Sequence, residues 1–193
     1  MVTRGMKKTP SQDPRLTISG PNVVIIAEHK KASSESSSKG ITLFTSTVRR
    51  GSPDYLDPRL NCHSKLHEVQ ALVQAIEAGA DEALMLDLRG FVSTCNATNF
   101  FIVRGEEVWT STGAYCMNGI TRHNVIRICE EQGVTCLQKD FSLYDVYSAD
   151  EAFVTGSFGG LTSVTKIDGR VIGDGRKMTE RLQKLYKELI CRQ

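Results

Sequence analysis

Short runs rich in β-branched and aromatic residues outnumber the amphipathic helical stretches in this chain, and the two never fall into strict alternation. Strands are predicted over Asn22–Ala27, Ile41–Val48, Glu82–Asp87, Phe91–Ser93, Asn99–Val103, Glu107–Thr110, Val134–Gln138, Glu151–Thr155, Thr162–Ile167 and Val171-Ile172. Three stretches have helical spacing. From Ser64, residues Leu66, Val69, Leu72, Val73 and Ile76 recur every three or four positions up to Gly79; a second begins near Thr121 and stops at Gly133; a third runs from about Met178 to Ile190. Without β-α-β alternation a doubly wound parallel sheet is excluded, and an α+β domain remains. Arg104-Gly105-Glu106 and Asp168-Gly169 read as hairpin turns.

A length of 193 residues with 40% hydrophobic composition is enough for one domain with a real core. The Val23-Val24-Ile25-Ile26 run predicts a buried strand inside an otherwise polar N-terminal tail, and Ser33–Gly40 reads as a serine-rich loop. A formal charge of +2 argues against nucleic acid or a membrane surface as the main partner, and no apolar run is long enough to span a bilayer. The basic start, Met1–Pro10, has no apolar stretch behind it, so a cytoplasmic location is expected over secretion, with a mitochondrial presequence the weaker alternative. Six scattered cysteines form no Cys-x-x-Cys pair and read as free thiols. His63 and His67 have helical metal spacing but no third ligand nearby, which favours ordinary surface or partly packed histidines.

Two segments suit an anion. A helix opening on Gly119-Ile120-Thr121 offers unpaired backbone N–H groups and a hydroxyl at its positive end. Gly156-Ser157 followed by Gly159-Gly160 leaves a strand in a turn whose amides and hydroxyl suit the same ligand. Taken alone, each is equally an ordinary helix cap or an ordinary glycine-rich turn.

Three blocks decide between these readings: Gly90-Phe91-Val92 leading through Thr94 to Asn99-Phe100-Phe101; Gly119-Ile120-Thr121-Arg122; and Ala149–Ser157 running on to Val164–Gly169. In this order and spacing, from about Lys39 to the C-terminus, they resemble the class IV (D-amino acid and branched-chain) pyridoxal-phosphate aminotransferases. The resemblance implies the large domain of the D-amino acid aminotransferase-like fold over residues 39–193, with residues 1–38 as tail and linker. It implies pyridoxal 5'-phosphate as cofactor and amino-group transfer between an amino acid and a 2-oxo acid. It also implies phosphate binding by Ile120, Thr121 and Ser157, with Asn99 close to the cofactor.

The same resemblance exposes two departures. The family's cofactor-binding lysine falls on Asn61, which has no amine, and Lys65 lies one turn further on if the helix has already begun. A reactive Lys65 would have to be largely desolvated. The family's glutamate, which holds the pyridine nitrogen protonated, falls on Thr94, which cannot pair with a pyridinium charge. The family's small N-terminal domain has no counterpart in the sequence, so a homo-oligomer or a fuller subunit is the expected partner. The alternative is a catalytically degenerate relative that acts as a binding or oligomerisation module.

Overall fold

The computed structural model describes residues 1–30, 39–173 and 175–191. By contacts the chain divides into two units, Met1–Lys31 and the remainder. The first contains a 3-10 turn, Pro14–Leu16, and two isolated bridges, Val2 to Val23 and Lys7 to Thr17. The buried strand expected over Asn22–Ala27 does not form: Val23 makes one bridge, and Ile25 is 87% exposed. Four apolar residues in a row specify burial only when a second layer covers them. Most of the Ser33–Gly40 loop lies outside the described residues.

The second unit is α+β, as expected. Among the described residues its strands are β1 (Ile41–Thr45), β2 (Glu82–Leu86), β3 (Val92–Cys95), β4 (Asn99–Arg104), β5 (Glu107–Thr110), β6 (Cys136–Gln138), β7 (Glu151–Gly156), β8 (Gly160–Ile167) and β9 (Arg170–Val171). They form one mixed sheet in the order β3-β2-β1-β8-β7-β4-β5-β6, with β9 on β8. β1 pairs in parallel with β2 and β8, as β5 does with β6; the other pairings are antiparallel. The sheet curls enough to bring β3 near β5, since the Ser111 hydroxyl just past β5 donates to the Ser93 carbonyl of β3 at 2.7 Å. Both expected hairpins form; at the second, Asp168 and Gly169 both have positive φ, as a tight two-residue turn requires.

β4 and β7 are buried on both faces, which is why β4 carries the unbroken apolar run Phe100–Val103 and β7 the shorter Ala152–Val154. Phe100, Ile102, Ala152 and Val154 join Leu43, Leu84, Val164 and Phe141 in one core. Phe101, Val103 and Phe153 point to the opposite face and pack under two helices, α2 (Ile120–Glu131) and α4 (Lys177–Cys191), with Val125, Ile128 and Leu182. Short α3 (Leu143–Tyr147), absent from the sequence reading, follows a Ser142 whose amide donates to Asp145.

Helix α1 (Leu66–Glu77) departs most from expectation. Its inward residues are Glu68, Ala71 and Ala75, the two alanines packed with Ala83 and Met85, while Leu66, Val69, Val73 and Ile76 are exposed. The apolar stripe is thus turned by roughly a third of a revolution from the core-facing side, at about 100° per residue. Small alanines allow a close approach to the sheet, and Glu68 is held inside by Arg50 at 2.8 Å.

Candidate functional site

The helical face of the sheet carries the site. Period-two alternation places Asn99 on the side of Phe101 and Val103, and Thr155 on the side of Phe153. Asn99 and Thr155 are directly paired across the antiparallel ladder, so their side chains stand together. Nearby, α2 begins after Gly119, and no side chain caps its first turn among the described residues. The first backbone N–H groups of the helix therefore point outward unpaired, the arrangement that attracts an anion.

Asn99 fixes that start. Its side-chain nitrogen donates to the Met117 carbonyl at 2.9 Å and lies 3.4 Å from the Thr94 hydroxyl. Arg122, buried in the first turn of α2, donates to the Ser111 carbonyl and to Gln138, tying the helix to β5 and β6. Thr121 is 2% exposed, and its hydroxyl lies 3.4 Å from the Tyr186 hydroxyl of α4. Ile120 is 74% exposed; only its backbone can serve the site, which is the part the sequence reading assigned to it.

The expected site residues fall into two adjoining groups. Asn61, Lys65, Thr94 and Asn99 line one cavity of about 400 Å³, together with Arg50 and Glu68. Ser157 lines a second, of about 210 Å³, with Gly159, Gly160, Tyr186 and Lys187. The Thr121–Tyr186 contact reaches from the helix start to this second cavity, and Asn99 against Gly119 reaches it from the first.

Asn61 and Lys65 share a cavity without sharing a helix. α1 starts only at Leu66, and residues 60–65 form successive turns closed by Cys62 N–H to Leu60 O and Lys65 N–H to His63 O. The helical turn expected between them is therefore absent, and the loop brings both to the cavity wall instead. The Lys65 side chain is 45% exposed, and its amine lies 3.7 Å from Glu68 Oε1. Desolvation, which the sequence reading required of a reactive Lys65, is not its condition here.

Arg50 organises this wall. Its guanidinium donates to Glu68 at 2.8 Å and to the Tyr115 carbonyl at 3.2 Å, and meets His67 Nε2 at 3.0 Å. A guanidinium offers only donors, so His67 Nε2 is the accepting nitrogen. Burial pushes the His67 pKa below its ordinary value, against the pull of Glu68. Thr94 is committed too, its hydroxyl donating to the Thr98 carbonyl at 2.7 Å.

A phosphate monoester suits this chemistry. The helix start is uncapped, and the Thr155 hydroxyl, buried opposite Asn99, has no hydrogen-bond partner among the described residues. Thr155, Glu68 and Tyr186 escaped the sequence reading. Thr155 alone left a signal, as the residue two before Ser157 in the Ala149–Ser157 stretch; the others reach the site through packing between distant segments. Among the described residues no cluster of three or more His, Cys, Asp or Glu side chains could hold a metal, all six cysteines are free, and no helix is long and apolar enough to cross a membrane.

The sequence matches the family described as Amino-transferase class IV over residues 1–167. The chain belongs to the class IV aminotransferases. It is 39% identical over 190 residues to branched-chain-amino-acid aminotransferase-like protein 2 of Arabidopsis thaliana, covering 97% of this chain and 34% of that relative. It is 36% identical over 159 residues to the branched-chain-amino-acid aminotransferase of Pseudomonas aeruginosa, covering 81% and 52%. Its fold is similar to that of an aminotransferase from Brucella abortus bound to the cofactor PLP, with a TM-score of 0.73 and 27% identity over 88% of this chain and 57% of that one. This class IV chain thus spans about half of those two bacterial proteins, and about a third of the plant relative.

Proposed function

We propose that this class IV chain binds pyridoxal 5'-phosphate and takes part in moving an amino group between an amino acid and a 2-oxo acid, with residues 39–193 acting as the family's large domain. The carrying observation is that Asn99 anchors an uncapped helix start beside the cavity that Lys65 lines. Membership of the family, and a similar fold solved with bound PLP, support the same reading. The names of the plant and Pseudomonas relatives point to branched-chain amino acids as substrates, although the D-alanine aminotransferase of Listeria monocytogenes is also similar, at 30% identity over 130 residues.

Bound pyridoxal phosphate would supply an aldehyde that accepts an amino group and a ring that delocalises the electrons left by α-proton loss. The backbone of Ile120 and Thr121 and the hydroxyls of Thr121 and Ser157 would hold its phosphate. Lys65 brings the amine of this cavity, 3.7 Å from the Glu68 carboxylate that Arg50 also holds. Thr94 offers the ring nitrogen no charge to pair with, so this chain would stabilise a developing carbanion less than a relative carrying glutamate there. A second reading, a catalytically degenerate binding or oligomerisation module, is favoured by Asn61 at the lysine position and by the committed Thr94 hydroxyl. Replacing Thr121 and Ser157 together by Ala should weaken pyridoxal-phosphate binding by at least about 1 kcal/mol. Unchanged affinity in a calorimetric titration would remove the basis of the first reading and leave the second.

A further inference from the structure

Among the described residues, Tyr186 is the side chain that touches both segments read as phosphate-holding. Its hydroxyl lies 3.4 Å from Thr121 Oγ1 at the start of α2, and its ring lies against Gly160, where an added Cβ would sit 3.4 Å from Cε1. It also lines the same cavity as Ser157. Tyr186 comes from the closing helix α4, whose place is fixed independently of any ligand: Glu151 accepts from the Met178 and Thr179 amides at 2.9 and 2.8 Å, and Leu182 is buried against Phe101 and Phe153. The tyrosine is therefore delivered to the helix start by the rigid part of the fold.

A threonine hydroxyl has one proton to give and can point it in several directions. Within a helix it can turn back onto a carbonyl one turn earlier, which takes it away from a ligand. Thr121 stands in the first turn of α2, so no helical carbonyl lies one turn before it, and the nearby Met117 carbonyl, ahead of the helix, already accepts from the Gly119 amide and the Asn99 side chain. Either hydroxyl can donate in this contact; with the Tyr186 hydroxyl as donor, a lone pair of Thr121 Oγ1 is occupied and the threonine's own proton is left to point outward, at the position an anion would take. We propose that Tyr186 is a positioning residue for the cofactor phosphate: it orients the Thr121 hydroxyl and ties the start of α2 to the Ser157–Gly160 turn. This rests on the phosphate reading above. The inference adds a role for α4, which otherwise serves only to cover the sheet.

The test compares pyridoxal phosphate with pyridoxal, which lacks the phosphate, by calorimetric titration of the full chain and of Tyr186→Phe, with thermal unfolding measured alongside. The phenylalanine keeps the ring against Gly160 and removes only the hydroxyl. The expected result is an unchanged unfolding midpoint, a roughly three- to ten-fold loss of affinity for pyridoxal phosphate (about the weight of one hydrogen bond) and no change for pyridoxal. Combining Tyr186→Phe with Thr121→Ala should cost no more than Thr121→Ala alone, because the tyrosine acts through the threonine. If the wild-type chain prefers the phosphorylated ligand and Tyr186→Phe keeps that preference in full, the inference is overturned while the phosphate reading stands. If the wild-type chain binds both ligands equally, the phosphate reading itself falls and takes this inference with it. Equal losses for both ligands would make Tyr186 a structural residue only, which also overturns it.

Discussion

Asn99 Oδ1 lies 2.6 Å from the point where a Cβ on Gly119 would sit. Asn99 cannot retreat cheaply, because its amide nitrogen is bonded to the Met117 carbonyl and the side chain is buried. Gly119 has an ordinary φ of -62°, so the requirement for glycine here is one of space and not of backbone freedom. Gly119→Ala should therefore destabilise the fold by about 1–3 kcal/mol through overpacking. It should also weaken pyridoxal-phosphate binding, because the helix start must move. Denaturant unfolding with a parallel binding titration checks both, and a variant as stable and as tight as the wild type would remove Asn99 from its anchoring role.

His67 sets a second expectation, for pH. Its Nε2 accepts from Arg50, which protonation would prevent, and burial lowers its pKa from 6.5 while Glu68 pulls the other way and Arg50 and Lys65 add to the lowering. The folded state therefore binds fewer protons here than the unfolded state. Stability from this site is intact above 6.5 and declines as pH falls through that value. Urea unfolding at about pH 7 and about pH 5.5 should show a loss that His67→Gln reduces. A stability that is flat or rising across that interval on account of His67 would contradict the assignment.

The outward stripe of α1 leads to a third prediction. Leu66, Val69, Val73 and Ile76 present a contiguous apolar face to solvent, which favours association between copies or with a further subunit. Sedimentation should show association that rises with concentration and is suppressed by Val69→Lys with Val73→Glu. A wild-type chain that stays monomeric throughout would leave the stripe without this role.

That stripe also marks how far the sequence could be read. Its period of three to four correctly announced a helix, but periodicity alone does not say which side faces the sheet. Here the side was decided by Arg50, a residue 18 positions away from Glu68, whose ion pair made a carboxylate the inward group. The Val23–Ile26 run failed for a related reason: an apolar string needs a covering layer that no local pattern reveals. β4, β5 and β7, and the helix opening at Gly119, were legible because short β-branched and aromatic runs, turn glycines and the Gly-Ile-Thr start are local properties. Within the site, Asn99 and Thr121 were marked by the blocks that contain them. Glu68 and Tyr186 were not, since each reaches the site only through contacts with a distant segment.

Lys65 is the amine proposed for the cavity lined by Asn61, Thr94 and Asn99, although its side chain is 45% exposed and cofactor binding would have to desolvate it. The most direct measurement is borohydride treatment of the chain with pyridoxal phosphate, followed by peptide mass mapping. Borohydride makes the cofactor's bond to an amine permanent, so the mass increment marks the amine that was used. A single pyridoxyl increment on Lys65, lost in Lys65→Ala while phosphate-dependent binding persists in part, is the predicted result. Increments spread over several surface lysines, or none at all, would contradict it and identify the chain as a silent relative.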